Sequence, residues 1–227
     1  MLENDKNLEG LQRQLRIVKP TPPNFLQIDD GLWKACLHSS NHPHFVGKEL
    51  SFVQLGPELT RMLSRATLGI TAQLAGNGTC SFFPLVTAEQ ILATFDYGER
   101  WLDMDFEYHS HYCRMRFALT YWLSVRDVAD YSKSHCASFF CLDDDVVNTI
   151  AETSISNVVA FCNGNPQLHQ FSLTCPVDDC MDIIRIATDE TFNESVRECQ
   201  MTAARLRKEQ HCCEFSGTDF AKGFQHE

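Results

Sequence analysis

The chain has 227 residues, of which 44% are hydrophobic, and its 30 acidic and 19 basic side chains give a formal net charge of −11. This length and apolar content suffice for one large or two small folded domains, each with a buried core. A surface this acidic repels nucleic acid unless basic residues gather on one face, so unaided DNA binding is disfavoured.

The termini and the cysteines indicate a cellular compartment. The sequence has no run of about 18 apolar residues, and its start, MLENDKNLEGLQRQLR, is too polar for a signal peptide. The 11 cysteines are odd in number, scattered and often set among apolar residues, which is typical of free thiols in a reducing compartment. We therefore expect a cytoplasmic protein with no membrane association.

The first elements in chain order are helical. Residues 1–24 predict a short amphipathic helix and a proline-rich linker, because the prolines of KPTPPN cannot continue a helix. Residues 25–48 then carry apolar side chains at helical spacing as far as the polar stretch HSSNHPHF. They predict the helix that opens a first module.

The next stretch, SFVQLGPELTRMLSRATLGITAQLAGNG, predicts two short helices joined by a tight turn. Gly56 and Pro57 suit the start of the first helix, and Thr67 suits the N-cap of the second, which covers residues 68–75. The segment CSFFPLV that follows is too short and too aromatic for a helix and predicts an extended segment. Another helix is predicted from Thr87 onward.

The same order of events recurs 87 residues later. Asp143 suits the N-cap of one helix, Ser154 suits that of a second helix over residues 155–162, and QFSLTCP supplies the extended segment. Three residues recur identically: Ser51, Phe52 and Leu55 return as Ser138, Phe139 and Leu142. Each cap, helix and extended segment in this order has its own physical cause, so the recurrence of the order predicts one small module present twice. The alternative, that any helical protein supplies two capped hairpins, stays open.

The remaining elements complete a mainly α fold. Residues 112–130 contain no Gly or Pro and predict a long helix buried on most sides, and residues 190–210 predict a polar helix. We expect two tandem small helical modules with short extended segments, in a pseudo-dimeric arrangement. The predicted divisions are an N-terminal helix and linker over 1–24, a first module over 25–110, a second over 111–210 and a tail over 211–227.

Residues 112–208 resemble the FlhD family, the smaller subunit of the flagellar master transcriptional activator, and its relatives on integrative and conjugative elements. The likeness is one of layout, carried by ALTYWLSVRDVADYSKS, ASFFCLDDDVV, TSISNVVAFC and QFSL, and the first copy fits the same family at LGPELTRMLSRATLGITAQLA. The resemblance implies a helical subunit that dimerises and works with a larger FlhC-type partner, which holds structural zinc on four cysteines. This chain would then be two such modules joined covalently, serving promoter DNA through that partner and with homo-oligomers possible.

Five arginines are the candidate contacts to DNA or to the partner, and we expect no cofactor. They are Arg61, Arg65, Arg114, Arg116 and Arg126.

Two segments carry residue types that bind metals. They are Cys36, His38, His42 and His44, and then His109, His111 and Cys113. In an extended segment His-x-His-x-Cys would place its side chains on one side, and tetrahedral zinc accepts that mixture. The sequence has no CxxC pair, so we predict no metal site.

Catalytic signatures are equally sparse. The stretch LDMDFEYHSHY alternates Asp103, Asp105 and Glu107 with apolar residues, which is typical of the wet face of a half-buried strand. The adjacent His135 and Cys136 would need the fold to bring a base to the thiol. Together with the resemblance to the FlhD family, which implies transcriptional regulation, this leads us to expect a non-enzymatic transcriptional regulator subunit. Two other functions stay open: an acidic protein-binding inhibitor or immunity protein of a mobile element, and a metal-dependent enzyme that uses the His-rich segments.

Overall fold

A computed structural model of the chain describes residues 22–45, 48–76, 78–96, 108–164 and 168–215. The described residues are mainly α-helical with a single two-stranded sheet, which confirms the predicted mainly α fold. The first half comprises α1 Phe25–Ser40, α2 Gly56–Arg65, α3 Gly69–Leu74, β1 Phe82–Pro84 and α4 Ala88–Asp96. The second half comprises α5 Tyr108–Tyr131, α6 Lys133–Phe140, α7 Asp144–Glu152, α8 Ile155–Gly164, β2 Phe171–Leu173, α9 Val177–Thr188 and α10 Glu194–Glu214.

One order of elements occurs in both halves. A long helix, two short helices, a strand and a further helix follow one another as α1–α2–α3–β1–α4 and again as α5–α7–α8–β2–α9. The second half adds α6 and α10. The predicted extended segments CSFFPLV and QFSLTCP are the sites of β1 and β2.

The structure shows helix caps at Thr87 and Ser154, but the cap predicted at Thr67 is absent. At α4 the Thr87 hydroxyl accepts from the Gln90 amide at 3.2 Å while the Gln90 side chain accepts from the Thr87 amide at 3.0 Å, a complete capping box. Ser154 caps α8 through its hydroxyl as predicted, at 3.2 Å from the Asn157 amide. The predicted cap at Thr67 is wrong, because the N-cap of α3 is Leu68.

Two predicted boundaries were also wrong, and one helix was missed. The long helix α5 starts at Tyr108 rather than residue 112. The last helix, α10, continues to Glu214, and Cys212, assigned to the tail, is buried. Sequence analysis missed α6, whose N-cap is Ser132, because its 8 residues are too few to show a helical period.

The two halves interlock. Helix α1 packs on α2 and α3, α5 packs on α7 and α8, and α1 and α5 pack on each other. The helix that follows the strand in each half packs against the other half: α9 packs on α2 and α3, and α4 packs on α7 and α8. Strands β1 and β2 pair antiparallel, with Phe82 opposite Leu173. Each short-helix pair is therefore covered by the other half.

Aromatic side chains from both halves fill the space between them. The Phe117 ring on α5 lies 5.9 Å from that of Phe52, 5.1 Å from that of Phe82 and 4.9 Å from that of Phe171, measured between centroids. Trp33 on α1 joins the same group through Phe82, at 4.8 Å. The described residues thus share one hydrophobic core.

Candidate interaction surfaces and a buried polar network

A buried polar network joins α1, β1 and α10. The fully buried Asp29 carboxylate accepts from the Gly76 amide at 2.9 Å, the Ser81 amide at 2.8 Å and the Ser81 hydroxyl at 2.5 Å. The Ser81 hydroxyl in turn accepts from Lys208 Nζ at 2.8 Å and from Trp33 Nε1 at 3.1 Å. A buried charge is tolerated when it is hydrogen-bonded and has an opposite charge nearby, as here.

The electrostatics of the network keep Lys208 protonated. Burial alone would lower the pKa of this lysine, but the Asp29 carboxylate and neighbouring cysteines outweigh it, and the net pKa is raised. A protonated lysine cannot take a proton from a serine hydroxyl, and this hydroxyl already donates to Asp29. The geometry therefore makes the Ser81–Lys208 contact a structural joint that fixes α10 to the core.

Four buried thiols lie close to this joint. The sulfur atoms of Cys175 and Cys180 are 3.7 Å apart, and Thr174 Oγ1 lies 3.3 Å from Cys212 Sγ while donating to the Cys80 carbonyl at 2.8 Å. A hydrogen bond to Cys180, followed by burial, raises the pKa of Cys175. A thiol that stays protonated is a poor nucleophile and a poor metal ligand.

All 11 cysteines are free, as predicted. Within the described ranges, no group of three or more His, Cys, Asp or Glu side chains is placed to hold a metal ion.

The extended geometry that would align His-x-His-x-Cys is not found at this segment. The segment is helical rather than extended, since α5 begins at Tyr108, and helical spacing puts residues 109 and 111 on different sides. Cys113 is buried, and the side chains of His109 and His111 lie outside the described residues. In α1, buried Cys36 and exposed His38 face different sides of the helix for the same reason.

The catalytic candidates are not brought together. Cys136 is buried and donates to the Val125 carbonyl at 3.2 Å, and burial raises its pKa to about 12. His135 is exposed, with its ring nitrogen 2.9 Å from the Ser132 hydroxyl. The acidic residues Asp103, Asp105 and Glu107 lie outside the described residues.

The five candidate arginines differ in exposure and in the hydrogen bonds and ion pairs that they form. Arg61, Arg65 and Arg116 are exposed. Arg114 is half-buried, and burial lowers its pKa. Arg126 donates from Nε to the Thr153 carbonyl at 2.9 Å and forms an ion pair with Asp130 at 3.2 Å. Its guanidinium thereby holds the end of α7 against α5, which is a structural role.

The two short-helix pairs carry matching exposed stripes. We call α2, its turn and α3 hairpin A, and α7, its turn and α8 hairpin B. All members of both stripes are exposed: Glu58, Arg61 and Arg65 on α2, and Asp145, Asn148 and Glu152 on α7. Each stripe leads to an exposed aliphatic residue at the turn, Leu68 at 64% exposure and Ile155 at 56%.

Sequence analysis named Arg61 and Arg65 of the stripe on α2, but it did not identify the corresponding stripe on α7. The 87-residue offset between the copies was the available signal, because it pairs Arg65 with Glu152 and Leu68 with Ile155.

An open groove of about 480 Å³ lies between α1 and α5. Its lining includes Asn24, Gln27, Ser124, Asp127 and Tyr131. Pro23 and Ile28 also line it, so the groove is open and mixed in character, with no convergent set of polar groups that would define a ligand site.

Two further findings concern the chain as a whole. Among the described helices, none has both the length and the apolar composition needed to cross a membrane. Comparison of the chain with protein-family models, with curated proteins and with solved structures found no match.

Proposed function

We propose that the chain is a non-enzymatic transcriptional regulator subunit built of two FlhD-like modules, which acts on promoter DNA in a heteromeric complex with an FlhC-like partner. The observation that carries the proposal is the exchange of α4 and α9 between the halves. Each hairpin depends on the opposite half for its cover, which is the arrangement expected of two subunits of a dimer joined into one chain. Covalent joining removes one association step from assembly.

The charge distribution supports a role through a partner. With a formal net charge of −11, the chain contributes few cations to a DNA interface. Arg61, Arg65 and Arg116 are the exposed members of the candidate set. A basic partner would supply the remaining phosphate contacts.

The test is reconstitution. An FlhC-like protein from the same genome, recognised by four zinc-binding cysteines, is co-expressed with the chain, and binding to promoter fragments is measured by fluorescence anisotropy. We expect the complex to bind and the chain alone to stay unbound at the same concentration. Failure of the two proteins to co-purify, or a complex that does not bind promoter DNA, would overturn the proposal.

Single arginine substitutions then locate the interface. Arg61→Ala, Arg65→Ala and Arg116→Ala should each weaken binding by the complex and lower the slope of log K against log salt by about 1 per lost phosphate contact. Lys133→Ala, at a 48% exposed side chain on α6, is the matched control and should leave the slope unchanged. Binding that is indifferent to all three arginines assigns the contact to another face.

The exposed acidic start of hairpin B favours one alternative, an inhibitor or immunity protein. Asp143, Asp144 and Asp145 are consecutive and exposed, which suits a basic protein target. In this case the chain would bind its basic target tightly with no promoter DNA involved, and Asp144→Lys would weaken that binding.

A further inference from the structure

We propose that two copies of this chain associate head to tail, with hairpin A of one copy docked on hairpin B of the other. The occupant of each hairpin surface is thus a second copy of the chain. This inference goes beyond the proposed function and does not depend on it.

The first support is that the two surfaces have the same form. Buried residues keep the 87-residue offset along both hairpins, so that Leu59 corresponds to Val146 and Leu63 to Ile150. Because the same positions face the core in both hairpins, the same positions face outward. Leu68, the N-cap of α3, and Ile155, the first residue of α8, then lie within one position of each other relative to the start of the second helix, and both are more than half exposed.

The second support is that the two surfaces have opposite charge. In hairpin A, Glu58 is engaged by Arg61 at 3.9 Å and by Arg185 at 3.6 Å, which leaves Arg65 as an excess positive charge. Hairpin B has no basic residue between 143 and 164, and Glu152 stands where hairpin A has Arg65. Glu152 forms an ion pair with Lys133 of α6 at 3.8 Å but stays 80% exposed, and the exposed Asp143, Asp144 and Asp145 keep the hairpin B surface negative.

Opposite charge selects the pairing. Two hairpin A surfaces in contact, or two hairpin B surfaces, would place like charges together. Hairpin A against hairpin B instead places Arg65 opposite Glu152. Leu68 and Ile155 would supply the apolar centre of that contact, and the charged residues would form its rim. This local complementarity favours the pairing although the whole chain is strongly acidic.

The contact should be weak and reversible. Each hairpin surface holds one exposed aliphatic side chain and a short charged stripe, whereas a stable interface buries about 1,200 Å² or more. We therefore expect association at concentrations on the order of 100 μM, weakened by salt that screens the rim charges.

Sedimentation velocity of the purified chain from about 10 to about 500 μM tests the proposal. The average mass should rise with concentration, and Leu68→Asp or Ile155→Asp should keep the protein monomeric. Leu206→Asp is the matched control, because Leu206 on α10 is 62% exposed, close to the 64% of Leu68. This control should associate like the original chain.

Charge reversal tests the pairing itself. Arg65→Glu or Glu152→Arg alone should weaken association by about fivefold, the effect of one exposed ion pair. The double variant should associate normally. A mixture of the two single variants should also associate, because the reversed hairpin A of one variant then meets the reversed hairpin B of the other, while their unchanged hairpins meet in the original pairing. A folding defect could not be rescued by mixing.

Three results would overturn the proposal: a monomer over the whole concentration range, association unaffected by both charge reversals, or a loss in Leu206→Asp equal to that in Leu68→Asp. Because neither DNA nor a partner protein is present, such a result would leave the proposed regulatory function standing on its own test.

Discussion

Gln54 and Cys141 adopt the same left-handed backbone conformation at the same step of the two halves. Their φ angles are 49° and 54°, they lie 87 residues apart, and each directly precedes the leucine that leads into a hairpin. Among the described residues, these are the only two non-glycine residues with positive φ. This conformation costs about 1 kcal/mol for a residue with a Cβ atom, so its recurrence indicates a turn at the same position in both halves. The backbones differ two residues later, where φ is 72° at Gly56 and −64° at Asp143.

Replacing either residue with glycine should stabilise the protein. Gln54→Gly and Cys141→Gly should each raise the free energy of unfolding by about 0.5–1 kcal/mol, since glycine adopts positive φ without a steric cost. Urea denaturation measures the change. Gln73→Gly, inside α3, is the control and should lower the free energy of unfolding by about 1 kcal/mol. If Gln54→Gly destabilised as much as Gln73→Gly, strain at this turn would be excluded.

The shared aromatic core should make the two halves unfold together. Phe117→Ala should lower the free energy of unfolding by about 3–5 kcal/mol, because this ring touches aromatic residues of both halves. Tyr112→Ala, at an exposed site on the same helix, should change it by less than about 0.5 kcal/mol. Tryptophan fluorescence and far-UV circular dichroism should report one coincident transition. Two separate transitions would instead indicate independently stable halves.

The effects on stability of changing Asp29 and Lys208, which lie in the same buried polar network, should be strongly coupled. Asp29→Asn or Lys208→Met alone should cost about 3–5 kcal/mol, because each leaves the other buried charge uncompensated. The double variant should cost less than the sum of the singles by about 1–3 kcal/mol. Chemical denaturation of all four proteins measures this coupling. Lys133→Met, which removes an ion pair with Glu152 whose two side chains are 48% and 80% exposed, should change stability by less than about 1 kcal/mol.

Alkaline pH should destabilise the fold through its buried thiols. Burial raises the pKa of Cys136 to about 12, and burial with Cys212 and Cys213 nearby raises that of Cys141 to about 11, from an ordinary 9.0. At a pH above the ordinary pKa of 9.0 but below the raised pKa of each buried thiol, the unfolded chain loses thiol protons that the folded chain keeps. The free energy of unfolding therefore falls as pH rises above about 9, by up to about 1.4 kcal/mol per pH unit for each thiol.

Denaturation midpoints from pH 7 to 11 measure this slope. Cys136→Ala should flatten it, while Cys199→Ala, at an exposed thiol, should leave it unchanged. A stability that stays level above pH 9 would contradict the burial of these thiols.

The sequence by itself determined the local elements and the charge. The capping box at Thr87, the hydroxyl cap at Ser154 and both strands could be predicted, because each depends on residues within a few positions of one another. It also indicated the 87-residue recurrence and the acidic surface. Local patterns were insufficient at Thr67, and they missed α6, because these short elements are set by packing rather than by propensity.

Only the tertiary structure decided how the halves are joined. The exchange of α4 and α9, and the place of α10 on the core, depend on contacts between residues far apart in the chain. The bond from Lys208 to Ser81 spans 127 residues, and no periodicity in a sequence records such a contact. Lys208 lies in the segment predicted as a polar helix, but the structure buries it against Ser81 near Asp29. Burial and charge pairing depend on the folded surroundings of a side chain, which a local sequence pattern does not contain.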